Sequence, residues 1–368
     1  MIKATAIDLP NSEPMMVTWD TGRRCNFDCS YCELSRHDNI SNFHSFEELK
    51  KTFMFINEWS TTYNSYRKDV NSTNINFTGG EPTMNPAFWE LAEWINNNYS
   101  GYNLGVTTNG AWSPKHTKKF IELFGGVTVS YHAEGKPTLK KHVIENIKRL
   151  HESDIWLQVN VMLHVDYFEE CKDLCEQLKK LGIRHNPRPI GDGNIKRTGW
   201  FTDIDGSMRR TSHDYTQDQQ DWFFNYSGIK KPTTKTLSGD ELGRKCCGGR
   251  CLSGKVNDQW QEVKLVDTNF KNWLCTVDWF FLHIDQHTGN VYHHQTCKAL
   301  HDGNRGPVGT LKDTDTMLLQ MKNRLSQNEL RPIVCPNMRC GCGMCAPKAK
   351  SQEDFTKMWN RITTKELQ

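Results

Sequence analysis

The sequence lacks the features that would point to a membrane, an export pathway or a nucleic acid. No apolar run approaches the roughly 18 residues that a membrane-spanning helix needs. The first residues do not have the basic-then-apolar build of a signal peptide, which predicts a cytoplasmic protein. Charge is nearly balanced, with 46 Lys and Arg against 43 Asp and Glu. We therefore expect no membrane partner and no nucleic-acid partner held by bulk charge.

Cysteine, by contrast, is abundant, with 14 in 368 residues. In a reducing compartment, this number predicts metal ligands or catalytic thiols rather than a disulfide framework. All but a middle pair, Cys171 and Cys175, fall near one end of the chain or the other. The middle pair shares the apolar stripe of a predicted helix, which favours packing in a core over metal binding.

Residues 15–190 alternate short apolar strands with amphipathic helices, six times over. This alternation predicts a parallel sheet with helical crossovers. Six units are too few for an eight-unit barrel, so the predicted fold is α/β, a partial (β/α)6 TIM-like barrel. In such folds, chemistry lies at the carboxyl ends of the strands.

The composition changes after the barrel, first to a polar stretch and then to a region rich in Cys, Gly and Trp. We expect a short helix near residues 217–224 and a hairpin of residues 280–284 with 291–293. The predicted domains are the barrel (1–195), a polar connector (196–245), a small irregular Cys-rich domain (246–347) and a C-terminal helix (348–368).

Three of the N-terminal cysteines, Cys25, Cys29 and Cys32, stand in the loop after the first strand, spaced C-x3-C-x2-C. Three close thiolates can bind a [4Fe–4S] cluster and leave one iron open, as a catalytic centre requires. The alternative from spacing alone is a zinc knuckle, completed by His37 or by a distant cysteine.

A second motif, Gly79-Gly80-Glu81-Pro82-Thr83, follows the second strand and is here called the glycine turn. Adjacent glycines let the backbone approach a ligand closely, and a carboxylate can accept from a cationic amine. Both motifs are predicted to lie on the same rim of the barrel, because both follow barrel strands.

These two motifs together resemble those of the radical S-adenosylmethionine (radical SAM) enzymes. Residues 24–32, here called the cluster loop, are similar to the family's iron–sulfur loop, including the aromatic Tyr31 before the last cysteine. The glycine turn is similar to the family's glycine-rich motif. The resemblance covers about residues 15–190 and includes Thr107-Thr108-Asn109-Gly110 and Val129-Ser130-Tyr131-His132.

The resemblance implies a [4Fe–4S] cluster on Cys25, Cys29 and Cys32, with S-adenosylmethionine on its open iron. Reduction would split the cofactor and give a 5′-deoxyadenosyl radical that takes a hydrogen atom from a substrate. An electron donor such as flavodoxin or ferredoxin is implied as a partner. The cofactor-binding residues so implied are Gly79, Gly80 and Glu81 at the methionine amine, Tyr31 beside the adenine, Thr108, Asn109 and Ser130 at polar groups, and Asn160 and Leu163 near the ribose and adenine.

The C-terminal cysteines resemble the extension called SPASM or twitch, which carries auxiliary [4Fe–4S] clusters in many members of that family. Its spacing in this chain departs from the usual one, so the number of auxiliary clusters stays open, and structural zinc is the alternative. Three further cysteines, Cys246, Cys247 and Cys251, are candidates for a cluster ligand or for a hydrogen-atom donor to a substrate radical, and a loop without either role is the alternative. The implied auxiliary ligands are Cys275, Cys297, Cys335, Cys340, Cys342 and Cys345.

The resemblance thus implies a radical SAM enzyme that modifies a peptide or protein, with a small molecule or sugar as the alternative substrate. A rival of another class is a non-catalytic iron–sulfur or zinc-binding module. The cluster loop and the glycine turn occurring together favour the enzyme, because a binding module does not need the second motif.

Overall fold

The fold was determined as a computed structural model. It describes residues 6–7, 14–32, 37–67, 70, 72–190, 200–202, 208–210, 215–228, 253–256, 259–262, 270–293, 307–326, 332–335 and 346–363. The chain divides into two compact units, one of Met1–Trp19, Lys50–Ile75 and Arg244–Gln368, the other of Asp20–Leu49 and Asn76–Gly243. In the described ranges, no helix combines the length and the apolar character needed to cross a membrane.

The described strands and helices follow one another in an order close to the predicted one. The strands are β1 (Ala6–Ile7), β2 (Met15–Asp20), β3 (Thr73–Thr78), β4 (Tyr102–Thr108), β5 (Gly126–His132), β6 (Trp156–Leu163), β7 (His185–Pro189), β8 (Trp200–Thr202), β9 (Met208–Arg210), β10 (Ser253–Val256), β11 (Gln259–Glu262), β12 (Leu274–Cys275), β13 (Phe281–Asp285), β14 (Asn290–Tyr292), β15 (Gly309–Thr310), β16 (Ile333–Val334) and β17 (Lys348–Ala349). The α-helices are α1 (Phe46–Tyr66), α2 (Pro86–Asn98), α3 (Thr117–Leu123), α4 (Pro137–His151), α5 (Phe168–Lys180), α6 (Gln217–Ser227), α7 (Val277–Phe280), α8 (Thr314–Ser326) and α9 (Gln352–Thr363). Short 3₁₀ turns lie at Pro82–Met84, Pro114–His116 and Val165–Tyr167.

The largest sheet has nine strands in the order β15-β14-β13-β2-β3-β4-β5-β6-β7. Strands β4 to β7 pair in parallel, whereas β13, β14 and β15 pair antiparallel. From β2 to β7 the sheet follows chain order, with a helix between each strand and the next. This arrangement confirms the predicted α/β fold with a partial barrel of six strand–helix units.

Period-two alternation on the barrel strands separates an apolar face from a polar one. On β5, Val127 and Val129 are buried, while Ser130 and His132 on the opposite face are half-buried. The crossover helices carry matching apolar faces, such as the buried Val143 on α4. Small polar side chains are therefore left on the inner face of the strands.

The sequence predicts the caps that begin two helices, because Ser45 and Glu48 have the spacing of a capping box and Asn85 directly precedes Pro86. Glu48 accepts from the backbone N–H of Ser45 at 2.7 Å, and the Glu48 N–H donates back to Ser45 Oγ at 3.3 Å. Asn85 Oδ1 accepts from the Ala87 N–H at 3.0 Å, ahead of Pro86. These bonds satisfy backbone donors that the first helical turn leaves open, so each helix begins where the sequence indicates.

The middle cysteine pair belongs to the core, as predicted. Cys171 and Cys175 on α5 are both fully buried. Burial raises the pKa of Cys171 to about 11 and that of Cys175 to about 12. Both thiols therefore behave as small apolar side chains at neutral pH.

The region after β7 contains more regular structure than predicted. The expected short helix is confirmed as α6, which begins with a capping box at Thr216. Strands β8 and β9 form an antiparallel pair that the sequence did not predict. Three-residue strands are too short to produce a readable alternation of apolar and polar residues.

The unit that includes the C-terminal region contains a second sheet, ordered β1-β17-β12-β16. The predicted hairpin is confirmed as β13 and β14, with Asp285 opposite Asn290. The predicted C-terminal helix is confirmed as α9. Its Trp359 ring lies 3.8 Å from that of Trp279, which in turn lies 4.7 Å from the Tyr63 ring. The four predicted domain boundaries stay a prediction.

Candidate functional site

Backbone hydrogen bonds tie the cluster loop to the chain that follows it. The Cys25 N–H donates to Asp38 O at 2.7 Å, and the Cys32 N–H donates to Cys29 O at 3.0 Å. The Phe27 N–H donates to Cys25 Sγ at 3.4 Å. The loop is thus fixed by bonds that do not involve a metal.

The glycine turn lies directly against the segment that leads into the cluster loop. The Gly80 N–H donates to Gly22 O and the Glu81 N–H to Arg24 O, both at 2.8 Å. A Cβ on Gly80 would lie 2.2 Å from Arg23 O, and one on Gly79, whose φ is +117°, would lie 2.5 Å from Gly22 O. No other residue type fits this approach without moving the backbone. The prediction that both motifs share one rim is confirmed.

The carboxylate of Glu81 is buried and holds the loops at the ends of β3 and β4 together. Its Oε1 accepts from the Thr83 hydroxyl at 2.6 Å and from the Thr108 hydroxyl at 2.8 Å. Its Oε2 accepts from the Asn109 N–H at 2.7 Å. Burial raises the pKa of Glu81, and these donors oppose the rise. Oε2 accepts this single hydrogen bond within the described network, so it retains a lone pair for one further donor.

Asn109 extends this network to the cluster loop. Its Nδ2 donates to Asn26 Oδ1 at 2.6 Å and lies 3.8 Å from Cys25 Sγ. Its Oδ1 accepts from the Ala111 N–H at 3.0 Å, which fixes the orientation of the amide. One side chain therefore joins the end of β4 to a predicted cluster ligand.

Ser130 on β5 lies directly opposite Asn160 on β6, and Asn160 lies opposite Asn186 on β7. These residues form a polar row on the inner face of the parallel strands. Among the described residues, Asn160 Oδ1 is buried and has no hydrogen-bond partner. A buried amide oxygen without a donor is costly, so it points to a ligand that supplies one.

Leu163 and Asn160 lie on opposite faces of β6, since they are three positions apart on the strand. Leu163 is fully buried, in step with Leu157 and Val161. Its carbonyl oxygen accepts from the Tyr215 hydroxyl at 2.5 Å. The side chain of Leu163 therefore belongs to the apolar face, and its predicted contact with the adenine stays a prediction.

Tyr31 in the cluster loop bonds to the end of β5. Its hydroxyl lies 2.5 Å from His132 Nδ1, and the two rings stack with centroids 5.9 Å apart. Burial raises the pKa of Tyr31 and lowers that of His132 to about 4. His132 is therefore neutral at pH 7 and acts as a hydrogen-bond partner rather than a charge.

The three loop thiols lie near enough to one another for their charges to interact. Burial raises the pKa of Cys25 to about 12 and also raises that of Cys29, and the neighbouring thiols add to both rises. Thiolates at these positions would need a compensating cation, which is the chemistry that a metal centre supplies.

The residues present fit the cluster and the cofactor that the resemblance implies. A cavity of about 550 Å³ opens against Cys25 and Cys29 and is lined further by residues 37–40 and 134–136, so it offers space beside the cluster loop rather than at the predicted cofactor residues. The close backbone of the glycine turn and the buried Asn160 oxygen offer polar groups to a ligand on the inner face. His37, the zinc alternative's proposed fourth ligand, instead lies 3.2 Å from Asp28 Oδ1. In the described ranges, which include Cys25, Cys29 and Cys32, no three His, Cys, Asp or Glu side chains converge on a single ion. The three thiols are therefore not arranged as ligands of one zinc, whereas in a [4Fe–4S] cluster each thiol would bind a different iron.

Two of the implied auxiliary ligands are described, Cys275 and Cys335. Strands β12 and β16 form an antiparallel ladder in which Leu274 pairs with Val334 and Cys275 with Ile333. Continued by one residue, this register places Cys335 on the same face of the ladder as Cys275. Cys275 is buried and Cys335 half-buried. The remaining candidates lie outside the described residues: Cys246, Cys247, Cys251, Cys297, Cys340, Cys342 and Cys345.

Several residues in or near the cluster loop are assigned no role by the sequence alone. They are Asn26 within the loop, which bonds to Asn109, and His132, Glu134 and His164 near the ends of β5 and β6. The one signal for the last three was their position, since residues at the carboxyl ends of barrel strands face the site.

Residues 19–178 match the family described as the radical SAM superfamily. The chain is 31% identical over 86 residues to a GTP 3′,8-cyclase of Pasteurella multocida, covering 23% of each chain. It is 24% identical over 179 residues to an AdoMet-dependent heme synthase of Nitratidesulfovibrio vulgaris, covering 45% of each. The chain thus spans under half the length of these relatives.

Among solved structures, SuiB of Streptococcus suis bound to S-adenosylmethionine aligns with a TM-score of 0.50 at 12% identity. The alignment covers 83% of this chain and 66% of SuiB, and at this identity it shows a shared fold. The family match includes the cluster loop, the glycine turn and strands β3 to β6. Residues 19–178 therefore have the sequence character of a radical SAM domain.

Proposed function

We propose that this protein is an enzyme that uses a [4Fe–4S] cluster on Cys25, Cys29 and Cys32 to cleave S-adenosylmethionine. The observation that carries the proposal is the tight backbone junction between the cluster loop and the glycine turn, where a Cβ on Gly80 would lie 2.2 Å from Arg23 O. A metal loop alone does not need such a junction, whereas a loop that must present a small cofactor to its metal does.

When bound, the cluster and S-adenosylmethionine supply a 5′-deoxyadenosyl radical that takes a hydrogen atom from the substrate. The backbone of Gly79 and Gly80 and the remaining lone pair on Glu81 Oε2 would receive the amine of the cofactor. Thr108 and Asn109 keep that carboxylate oriented, through bonds of 2.8 and 2.7 Å. Their role is to position the amine without rearrangement during the reaction.

The inner face of β5 and β6 would hold the nucleoside part of the cofactor. Ser130 and Asn160 face each other there, and Asn160 Oδ1 is buried and ready to accept from a hydroxyl. Tyr31, stacked on His132, would close one side of the site and exclude water from it. A cytoplasmic location belongs to the proposal, because exposed iron–sulfur centres persist in a reducing compartment.

An auxiliary [4Fe–4S] cluster on the C-terminal cysteines forms the second part of the proposal. Diagonal neighbours on one face of an antiparallel pair lie about 7–8 Å apart. Cys275 and Cys335 are diagonal neighbours of this kind. Their separation suits two ligands of one cluster better than two ligands of one ion. Cys297, Cys340, Cys342 and Cys345 are the proposed sources of the remaining ligands.

The proposed substrate is a peptide or protein side chain, because the C-terminal cysteines resemble an extension associated with such substrates. The alternative is a small molecule, which the relatives named GTP 3′,8-cyclase and AdoMet-dependent heme synthase favour. Cys246, Cys247 and Cys251 are proposed as hydrogen-atom donors to the substrate radical, and flavodoxin or ferredoxin as the electron donor.

Anaerobic reconstitution tests the proposal. The protein loaded with iron and sulfide, given dithionite and S-adenosylmethionine, should release 5′-deoxyadenosine. An intact cluster that yields none would reject the enzyme in favour of a non-catalytic iron–sulfur module. Deuterium transfer from labelled peptides or labelled small molecules into 5′-deoxyadenosine, read by mass spectrometry, then separates the two substrate classes.

A further inference from the structure

A carboxylate outside all the motifs discussed above lies against the cluster loop. Glu134 follows β5 by two residues, and its Oε2 accepts from the Ser30 N–H at 3.0 Å. Ser30 lies between the second and third cluster cysteines. Glu134 therefore holds the part of the loop that joins Cys29 to Cys32.

A buried histidine fixes the other oxygen of this carboxylate. His164 Nε2 lies 3.3 Å from Glu134 Oε1, and the His164 side chain is only 6% exposed. Its Nδ1 accepts from the Asp166 N–H at 3.2 Å, which leaves Nε2 as the ring nitrogen that carries a proton toward Glu134. His164 therefore donates to Glu134 and orients it toward the loop.

The turn that carries Glu134 is packed tightly on the loop. A Cβ on Gly135 would lie 3.1 Å from the Phe27 ring, and Phe27 also meets the His132 ring edge to face at 6.0 Å. The Glu134 carboxylate bonds to the loop at Ser30, one residue after Cys29, so its charge lies beside a predicted cluster ligand.

We propose that Glu134 is a positioning residue that also sets the reduction potential of the cluster, by placing a fixed negative charge beside the Cys29–Cys32 segment. This inference rests on the proposed function. A negative charge disfavours the reduced cluster, because reduction adds a further negative charge, and nearby charge is one of the factors that set cluster potentials. The His164 N–H partly neutralises the carboxylate and so moderates its effect.

The test is the midpoint potential of the reconstituted cluster, measured by anaerobic titration and followed by the electron paramagnetic resonance (EPR) of the reduced form. The protein carries Cys275→Ala and Cys335→Ala, so that the loop cluster supplies the signal. Glu134→Gln removes the charge while keeping the shape and one acceptor oxygen. His164→Phe removes the donor to Glu134, and Glu134→Asp keeps the charge.

We expect opposite shifts in the two informative variants. Glu134→Gln should move the midpoint to a more positive potential and His164→Phe to a more negative one, while Glu134→Asp stays near the parent. Glu122→Gln is the matched control, because that side chain is 54% exposed and pairs with Lys118. It should leave the midpoint unchanged.

An unchanged or more negative midpoint in Glu134→Gln would overturn the inference. If Glu134→Gln retains no iron, His164→Phe decides, and a midpoint that is unchanged or more positive in that variant would overturn it. Failure of the parent protein to assemble a cluster would instead reject the proposed function, so the two failures are distinguishable.

Discussion

The cluster loop and the ladder that carries Cys275 and Cys335 hold their cysteines by different means. The loop is tied to a second loop through the backbone of Gly80 and Glu81 and through the side chain of Asn109. In the ladder, β12, β16 and β17 have two residues each, and Cys335 is held by backbone bonds to Trp273 O at 2.8 Å and from the Asn272 N–H at 2.7 Å. We expect the cluster loop to keep its shape without metal, because a neighbouring loop holds it, and we expect the short strands of the ladder to depend more on a metal.

This difference matters because a metal that binds a preformed site adds chemistry, whereas one that binds a weakly formed site adds folding free energy. We therefore assign the catalytic role to the cluster loop, where geometry is fixed in advance. We propose that the ladder is a structural or electron-transfer site, whose metal would also hold the chain together.

The largest effect should come from the cluster loop itself. Cys29→Ala removes a predicted ligand, so 5′-deoxyadenosine formation should fall to background while iron bound by the C-terminal cysteines remains. Iron and sulfide analysis beside chromatography of the products measures both. Cys171→Ala, at a fully buried position on α5, is the control and should keep the activity. Loss of all iron from a folded Cys29→Ala protein would contradict the separation of the two sites.

A large effect should also follow from Gly80→Ala, which forces the glycine turn away from Arg23. Misplacement by about 1 Å at a reacting site costs on the order of 100-fold in rate, so we expect a loss of this order in S-adenosylmethionine cleavage. Gly22→Ala is the control, because its added Cβ would meet only the His44 ring at 3.7 Å. Equal losses in both variants would argue against the close approach as the cause.

We expect an intermediate effect, a loss of iron, when Cys275 or Cys335 is replaced, because both are proposed to bind one cluster. Cys275→Ala and Cys335→Ala should each lose the iron of one cluster, and the double variant should lose no more than either single one. Thermodynamic coupling of this kind is expected of two ligands of a single centre. Additive losses in the double variant would mean that the two cysteines serve different metals or none.

The smallest effect should be seen in amide exchange after iron is removed with a chelator. Amides of β12 and β16 should lose protection, while those of β5 should keep it, because β5 is paired on both sides by seven-residue and four-residue registers. Hydrogen–deuterium exchange by mass spectrometry follows both regions in one sample. An equal loss of amide protection in β5 and in the two ladder strands would contradict the distinction between a preformed site and a metal-dependent one.

The barrel could be predicted because its signals are local. The Ser45 box, the Asn85 cap and the two-residue alternation each act within one turn or one strand, and all three are confirmed. The cluster loop and the glycine turn were recognisable for the same reason, as short motifs of fixed spacing. The bonds that Thr108 and Asn109 make to Glu81 could not be recognised in this way, because they join residues that lie 27 and 28 positions apart in the chain.

Glu134 and His164 escaped prediction for a related reason. Each is an ordinary polar residue in a short connection after a strand, and only the parallel pairing of β5 with β6 brings them together. Strands β8 and β9 and the two-residue strands of the ladder were missed because they are too short to carry a period. Long-range pairing, rather than local pattern, determines these parts of the structure.

The most direct test of the account is the EPR spectrum of the reduced Cys275→Ala, Cys335→Ala protein, recorded with and without S-adenosylmethionine. We expect an EPR signal of a [4Fe–4S] cluster from the cluster loop alone. This signal should change when the cofactor binds at the open iron. Absence of that signal from a folded, iron-loaded protein, or a signal that the cofactor leaves unchanged, would contradict the account.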